Sequence, residues 1–272
     1  MKFWKSFILI YFILLLLNIV IINYFIKMKN GLKIVVLGAT GETGIQVLKL
    51  ALKNNHNVTA IVRNKASLIE YSTENLNIVE ADVFDAKTLE PHFSGKDVII
   101  SALGFTKVGV DVKMTLFTDS MKSILTAMHN SKVSRIITIS AWFTDPNNRV
   151  GHKVFDHYWS KIPGLTQTLN NEYEMEEMLK LEKDIYFTSV RCPFLTWDES
   201  KAAEIIYCEG NWVPNSSAYL GREDVARFLI AVAEDQTLYK GKCISIAGKF
   251  VSHDDETATH GRLTDKLLVE KK

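Results

Sequence analysis

The first hydrophobic segment of the chain is Phe7–Ile26, which runs for twenty residues without a charge. A helix of that length, at roughly 1.5 Å per residue, spans about 30 Å and can cross the hydrocarbon core of a bilayer. We therefore expect residues 1–27 to form a single-pass membrane anchor. Lysines are slightly more frequent after the segment than before it, which favours a domain that faces the cytosol. A cleaved signal peptide and a mistaken start ahead of Met28 are the alternatives.

After this segment, short apolar runs rich in β-branched residues alternate with segments whose apolar residues recur every three or four positions. The runs are typical of strands buried on both faces, and the spacing is typical of amphipathic helices. We predict strands at Leu32–Gly38, Asn57–Val62, Leu76–Ala81, Asp97–Leu103, Arg135–Ser140, Ile185–Val190 and Lys242–Gly248, and helices after Gly44 and around 118–130, 170–183 and 222–234. This alternation predicts an α/β fold with a doubly wound parallel sheet.

The composition divides the chain into the anchor at 1–27, an α/β domain with a small substrate lobe at 28–248, and a polar tail at 249–272. A net charge of +1 gives no reason to expect nucleic-acid binding, which needs a basic surface. The three cysteines do not form a disulfide framework, and the seven histidines lack the spacing of metal ligands, so no metal is expected. Glu172, Glu174, Glu176 and Glu177 are interpreted as a solvated helix face rather than as a carboxylate pair.

Three glycines, Gly38, Gly41 and Gly44, follow the first predicted strand at intervals of three residues. We expect Gly38 to permit a tight turn, Gly41 to let backbone N–H groups approach a pyrophosphate, and Gly44 to let the next helix pack on the sheet. The N-terminus of that helix would attract the anion through its free N–H groups and its dipole. A structural turn without a ligand is the alternative.

Arg63 follows the second predicted strand, nineteen residues after Gly44. An acidic residue at this place would bind the ribose 2′-hydroxyl of NAD, whereas Arg63 and Lys65 suit the 2′-phosphate of NADPH. A solvated basic loop is the alternative interpretation. Asp82, after the third strand, can accept a hydrogen bond from the adenine amino group or can serve as a turn or helix-capping residue.

These residues together resemble the atypical short-chain dehydrogenase/reductase family, and within it the NADPH-dependent flavin reductases, also called biliverdin reductase B. NmrA-like regulators share the glycine turn. The resemblance covers about Lys33–Gly248 and implies a Rossmann-like sheet. It is carried by the motifs Gly38–Gly44, Val62–Asn64, Asp82–Val83, Asp97–Ile100 with Leu103–Gly104, Ile139–Ala141 and Cys192–Pro193. The cofactor-binding residues that it implies are Gly38, Thr40, Gly41, Glu42, Thr43, Gly44, Arg63, Asp82, Val83, Leu103, Gly104, Pro193 and Phe194.

The resemblance also implies that Ser140 lies beside the site of hydride transfer, where we expect it to face the crevice and orient the substrate. The family enzyme has a histidine after its proline pair and another where Tyr173 stands here, so the substrate pocket is altered. Phe105, Trp142 and Tyr173 are the candidate substrate-binding residues, although the aromatic residues can instead form the core of a small lobe. A serine bonded to local backbone is the alternative for Ser140.

The Tyr-x-x-x-Lys pair of most short-chain dehydrogenases is missing, which disfavours carbonyl chemistry of that type. Hydride transfer to a conjugated small-molecule acceptor of the flavin, tetrapyrrole or quinone type demands less, because orientation and desolvation are enough. We therefore predict an NADPH-dependent oxidoreductase. A non-catalytic NADP(H)-binding redox sensor of the NmrA-like type, which acts through protein partners, is the alternative.

Overall fold

The computed structural model describes Leu15 and residues 31–105, 115–149, 152–197 and 204–249. Except for Leu15, the expected anchor lies outside the described residues, and so does the expected tail after Lys249. Within the described residues, no helix has both the length and the apolar character needed to cross a membrane.

Ten strands are described: β1 (Lys33–Leu37), β2 (Asn57–Val62), β3 (Leu76–Glu80), β4 (Val98–Ser101), β5 (Arg135–Ala141), β6 (Tyr186–Cys192), β7 (Phe194–Thr196), β8 (Ile205–Cys208), β9 (Tyr219–Gly221) and β10 (Lys242–Gly248). Eight of them form one sheet in the order β3-β2-β1-β4-β5-β6-β10-β8. All neighbours in it are parallel except β10 and β8. The predicted parallel sheet is therefore corrected at one edge, where β8 runs antiparallel.

Within the described ranges, six α-helices cover the sheet or the lobe: α1 (Glu42–Lys53), α2 (Ala86–Phe93), α3 (Leu116–Ser131), α4 (Lys153–His157), α5 (Leu165–Leu181) and α6 (Arg222–Glu234). Helices α1 and α6 pack against each other and bury their apolar residues in one cluster with the sheet. Helices α2, α3 and α5 pack in a second cluster on the other face. This arrangement is the Rossmann-like, doubly wound architecture that the alternation predicts.

A third apolar cluster forms the core of a small lobe beyond the carboxyl ends of β5 and β6. Its buried aromatic residues are Trp142, Phe143, Phe155 and Trp159. The short strands β7 and β9 pair in parallel beside it. The lobe lies beyond β5 and β6. The glycine turn lies at the remaining part of the same sheet edge, at the carboxyl ends of β1, β2 and β4.

A buried histidine joins elements at the opposite edge of the sheet. The Nδ1 atom of His56 accepts a hydrogen bond from the backbone N–H of Leu32 at 3.0 Å. Its Nε2 atom therefore carries the proton and donates to Glu234 at 2.9 Å. This bond from His56 is the largest of the effects that lower the pKa of Glu234. The bridge ties the start of β1 to the end of α6.

Candidate functional site

Strand register brings most of the predicted binding residues to one edge of the sheet. Leu37, the last residue of β1, pairs with Ile61 of β2 on one side and with Ser101 of β4 on the other. The glycine turn, Arg63 and Leu103 therefore all follow strand ends that lie side by side. Because the chain leaves β1 for β2 and returns to β4 on the other side, this place is the topological switch point of the sheet, where ligands of such folds bind.

Backbone packing requires the first and third glycines of the turn. Gly38 has a φ of +74°, and a Cβ there would lie 2.6 Å from the carbonyl oxygen of Ala102. A Cβ on Gly44 would lie 2.0 Å from the carbonyl oxygen of Gly38. The turn is closed by a hydrogen bond from the N–H of Gly41 to the same oxygen, at 2.9 Å. These contacts match the expected roles in the tight turn and in helix packing.

The N-terminus of α1 is built to leave backbone donors available. Its N-cap is Gly41, which has no side chain with which to bond the first-turn N–H groups. Thr40 is exposed and Thr43 is half-buried beside it. Uncapped N–H groups and the positive end of the helix dipole fit the pyrophosphate of a dinucleotide. Glu42 departs from this pattern, because its carboxylate begins the helix and forms an ion pair with Arg222.

The loop after β2 presents two cations. Arg63 and Lys65 are both exposed. Asn64, between them, uses its Oδ1 atom to accept a hydrogen bond from the N–H of Ala66 at 2.9 Å and so caps the short 3-10 helix that follows. The placement beside β1 suits contact with a 2′-phosphate and is equally compatible with a solvated loop, so the role of Arg63 stays a prediction.

Asp82 takes part in a local turn. Its Oδ1 atom accepts a hydrogen bond from the N–H of Phe84 at 2.9 Å, and Thr88 bonds its backbone. The capping residue of α2 is instead Asp85, which accepts from the N–H of Lys87. The turn role that was left open for Asp82 is thus observed. Contact with adenine by Asp82 or by the half-buried Val83 stays a prediction.

The segment after β4 contains open space beside the switch point. Gly104 is exposed, and a Cβ built on it meets no atom within 4 Å. Leu103 and Phe105 are half-buried, and the Phe105 ring lies edge-on to Phe117 with centroids 5.4 Å apart. None of the described residues gives a steric reason for glycine at position 104, which is consistent with a ligand that passes close to the backbone.

Ser140 faces the interior, not the crevice. It is 2% exposed, and its hydroxyl donates to Oε1 of Glu176 at 2.8 Å. Ser189 donates to the same oxygen at 2.8 Å, and Arg191 bonds both carboxylate oxygens of Glu176. The expected orientation is therefore wrong, because a buried carboxylate attracts the hydroxyl. Bonding to local backbone, the alternative, is not seen either, and a catalytic role for Ser140 stays a prediction.

A second buried carboxylate lies one helical turn away. Glu172 accepts hydrogen bonds from the N–H of Ala141 at 3.1 Å and from Thr144 at 3.3 Å. Burial, and then the charge of Glu176, raise the pKa of Glu172 to about 8. The expectation that these glutamates form a solvated helix face is thus wrong for both. Their four-residue spacing, together with an arginine in a buried strand, is the sequence signal that could have revealed them.

Of the expected aromatic contacts, Trp142 belongs to the lobe core. It is 2% exposed, and its Nε1 atom donates to the carbonyl oxygen of Ile246 at 3.1 Å. The stacking role expected for Trp142 is therefore corrected in favour of the alternative. Tyr173 is half-buried, with the Lys180 ammonium 5.9 Å from its ring centroid.

Pro193 and Phe194 follow β6 at the lobe. Pro193 is buried, and Phe194 is half-buried. The Phe194 ring packs on Trp159 at 4.3 Å and stacks on Tyr219 at 5.7 Å between centroids. Among the described residues, no cluster of side chains could hold a metal ion.

The comparison with protein families identifies the domain. A family model described as NAD(P)H-binding matches residues 38–236. The chain therefore belongs to the NAD(P)H-binding family. This finding confirms the resemblance at the level of NAD(P)H binding.

Two curated relatives match shorter stretches. The uncharacterized protein YwnB of Bacillus subtilis (strain 168) is 29% identical over 110 residues, which are 40% of this chain and 46% of YwnB. Phenylcoumaran benzylic ether reductase TP7 of Nicotiana tabacum is 28% identical over 95 residues, which are 32% of this chain and 31% of the reductase. The matched stretch thus spans less than half the length of either relative.

Solved structures share the fold over a greater length. A short-chain dehydrogenase/reductase of Veillonella parvula DSM 2008, in complex with NADP, is 18% identical and has a TM-score of 0.62, with 79% of this chain and 94% of that chain covered. A protein of Streptococcus pneumoniae TIGR4, provisionally named an NADH-flavin reductase, is 19% identical with a TM-score of 0.61, and the match covers 80% and 100%. At these identities the likeness establishes the Rossmann-like fold.

Proposed function

We propose that the protein is an NADPH-dependent reductase that transfers hydride to a flavin-like, tetrapyrrole-like or quinone-like acceptor. The observation that carries the proposal is the switch point, where three neighbouring strand ends lead to an uncapped helix N-terminus, an exposed arginine and open space at Gly104. The names of two similar proteins, a benzylic ether reductase and a provisional flavin reductase, support reduction as the reaction class.

Each part of the site has a role in this proposal. The N–H groups at the start of α1 bind the pyrophosphate, and Arg63 binds the 2′-phosphate. Leu103, Gly104 and Phe194 border the nicotinamide half, and Phe105 and Tyr173 are half-buried side chains available to an acceptor. The bound NADPH supplies the hydride.

The protein contributes orientation and exclusion of water rather than acid–base chemistry. The hydroxyl of Ser140 and the guanidinium of Arg191 are both bonded to Glu176 inside the domain. A ring that accepts hydride can take its proton from solvent, so the reaction does not need these groups. Positioning alone can supply a large part of a rate enhancement.

One observation favours a second candidate function. Ser140 and Trp142, which were expected beside the acceptor, are both 2% exposed. A domain that binds NADP(H) while these two side chains are withdrawn from the crevice suits a redox sensor that responds to the oxidation state of its cofactor through protein partners.

The first experiment follows NADPH oxidation by the purified protein with FMN as acceptor and NADH as the control cofactor. Loss of one charge-assisted hydrogen bond weakens binding by roughly 10- to 100-fold. Arg63→Gln should therefore raise the KM for NADPH by about that factor and leave the KM for NADH unchanged. Lys53→Gln, which removes an exposed cation at the far end of α1, is the matched control and should have little effect.

The outcomes separate the two functions. Turnover with NADPH that Arg63→Gln impairs supports the reductase. Tight NADPH binding without turnover on FMN, a quinone or a tetrapyrrole would favour the sensor. Equal use of NADH and NADPH would refute the assignment of Arg63.

A further inference from the structure

Three side chains from distant parts of the chain meet beside the glycine turn. Glu42 is the first residue of α1, Arg222 is the first residue of α6, and Trp197 follows β7. The Nη2 atom of Arg222 lies 2.6 Å from Oε2 of Glu42. The guanidinium carbon of Arg222 lies 4.5 Å from the centroid of the Trp197 ring. The start of α6 is thereby joined to the start of α1.

The charge of Glu42 is a problem for an anion site. A carboxylate in the first turn interacts favourably with the helix dipole when no ligand is bound. A pyrophosphate at the same N-terminus would be repelled by that carboxylate, because like charges a few ångströms apart disfavour each other. The ion pair with Arg222 neutralises the carboxylate of Glu42, so the N–H groups of α1 can still bind an anion.

The guanidinium of Arg222 also has a hydrogen-bond donor that the ion pair with Glu42 does not use. The side chain of Arg222 is 17% exposed. Its Nη1 atom is buried and, within the described parts of the chain, has no hydrogen-bond partner. Buried donors without a partner are costly in folded proteins, and an arginine fork suits phosphate oxygens. Arg222 therefore has donor capacity beyond its bond to Glu42.

Trp197 fixes the guanidinium in place. Trp197 is 74% exposed, yet the guanidinium of Arg222 lies over one face of its ring. Stacking on an aromatic face restrains the planar guanidinium and leaves its edge free to bond a carboxylate. The geometry therefore favours arginine over lysine at position 222, because lysine carries a point charge on a flexible stem.

We propose that Arg222 is a positioning residue for the cofactor's pyrophosphate, because it neutralises and holds the carboxylate of Glu42 at the N-terminus of α1. The inference rests on the proposed binding of NADP(H) at the glycine turn. It assigns to the α6 side of the domain a part in cofactor affinity that the glycine motif alone does not imply.

The test is a double-mutant cycle that measures NADPH affinity by titration of the purified full chain. Arg222→Met should raise the Kd by about 10-fold, the equivalent of one charged hydrogen bond. Glu42→Gln alone should bind NADPH at least as tightly as the wild type does, because it removes the carboxylate and leaves the Arg222 guanidinium without its partner. The double variant Glu42→Gln/Arg222→Met should recover most of the lost affinity, because no uncompensated carboxylate is left.

Two controls exclude a general structural effect. Arg227→Met removes another guanidinium of α6, one that pairs with Asp224 on its own helix, and should leave the Kd for NADPH unchanged. Binding of 2′-AMP, which carries the 2′-phosphate and lacks the diphosphate, should be equal in the wild type and in Arg222→Met. If Arg222→Met does not fold, Arg222→Gln is judged by the same criteria.

The failures are distinguishable. An unchanged Kd in Arg222→Met, or a double variant no better than the single one, would overturn this inference while the proposed function stands. Equal losses for NADPH and 2′-AMP would overturn it as well, since the effect would not be specific to the diphosphate. A wild-type protein that binds neither probe would overturn the proposed function and this inference together.

Discussion

Glu172 makes the stability of the domain depend on pH in an unusual direction. Glu172 is 6% exposed and lies one helical turn from Glu176, whose carboxylate forms an ion pair with the buried Arg191. Burial and the neighbouring carboxylate raise its pKa from 4.5 to about 8. The folded protein therefore holds a proton on Glu172 at pH values where the unfolded chain has already released it.

Linkage gives the sign and the size of the effect. Because the folded state binds more protons than the unfolded state between pH 4.5 and about pH 8, stability falls as the pH rises through this window. Each unit of pKa corresponds to about 1.4 kcal/mol, so the loss across the whole window is about 5 kcal/mol. Above pH 8 the ionised form is present in both states and the loss is complete.

The substitution Glu172→Gln tests this reasoning, because glutamine is a neutral isostere that can still accept from the N–H of Ala141. The variant should match the wild type near pH 4.5 and exceed it by about 3 kcal/mol at pH 7. Urea unfolding at pH 5, 6, 7 and 8 measures the difference. Glu174→Gln, an exposed position on the same helix, is the control and should show no such trend. A difference between Glu172→Gln and wild type that does not change with pH would refute the assignment.

Two further predictions concern stability and binding. Gly44→Ala should destabilise the domain by about 3 kcal/mol, because its Cβ would lie 2.0 Å from a backbone oxygen, whereas Gly104→Ala, with open space around its Cβ, should unfold at the same urea concentration as wild type and bind NADPH more weakly. A clear loss of stability in Gly104→Ala would contradict this contrast. His56→Ala should cost about 2 kcal/mol at pH 7, since it leaves the Leu32 N–H without its acceptor. The loss should shrink as the pH falls from 4.5 through the lowered pKa of Glu234, and a loss in urea unfolding that is equal at pH 3 and pH 7 would argue against the bridge.

The sheet could be predicted from the sequence because its strands are buried on both faces. Strands such as Asn57–Val62 and Lys242–Gly248 were predicted with the observed bounds, since continuous β-branched runs have few other interpretations. The short helix α2 was missed because it contains a proline, Pro91, and has only eight residues. Strands β7, β8 and β9 were missed because three or four residues are too few to show a period.

In the candidate site too, features set by the local sequence could be predicted, and features that depend on distant residues could not. Turn glycines carry a local signal, because the backbone conformation at Gly38 is required by the turn itself. The orientation of Ser140 carries no local sequence signal, because it depends on Glu176. That residue is distant in sequence and lies on a helix whose sequence is polar. The burial of Trp142, which was expected at the surface of the site, carries no local signal either. Its hydrogen bond to the carbonyl of Ile246 depends on a strand more than a hundred residues later.

The buried polar cluster also narrows the chemistry that the domain can perform. Glu176 accepts hydrogen bonds from Ser140, Ser189 and Arg191, so these groups are committed to one another in the folded protein. Moving any one of them to a substrate would leave a buried charge or hydroxyl unpaired, at a cost of about 1–3 kcal/mol for each lost partner. Chemistry that requires a mobile acid or base from this cluster is therefore disfavoured. Hydride transfer from a bound dinucleotide requires none, which is why substitutions at the switch point should change cofactor affinity while those in the cluster should act first on stability.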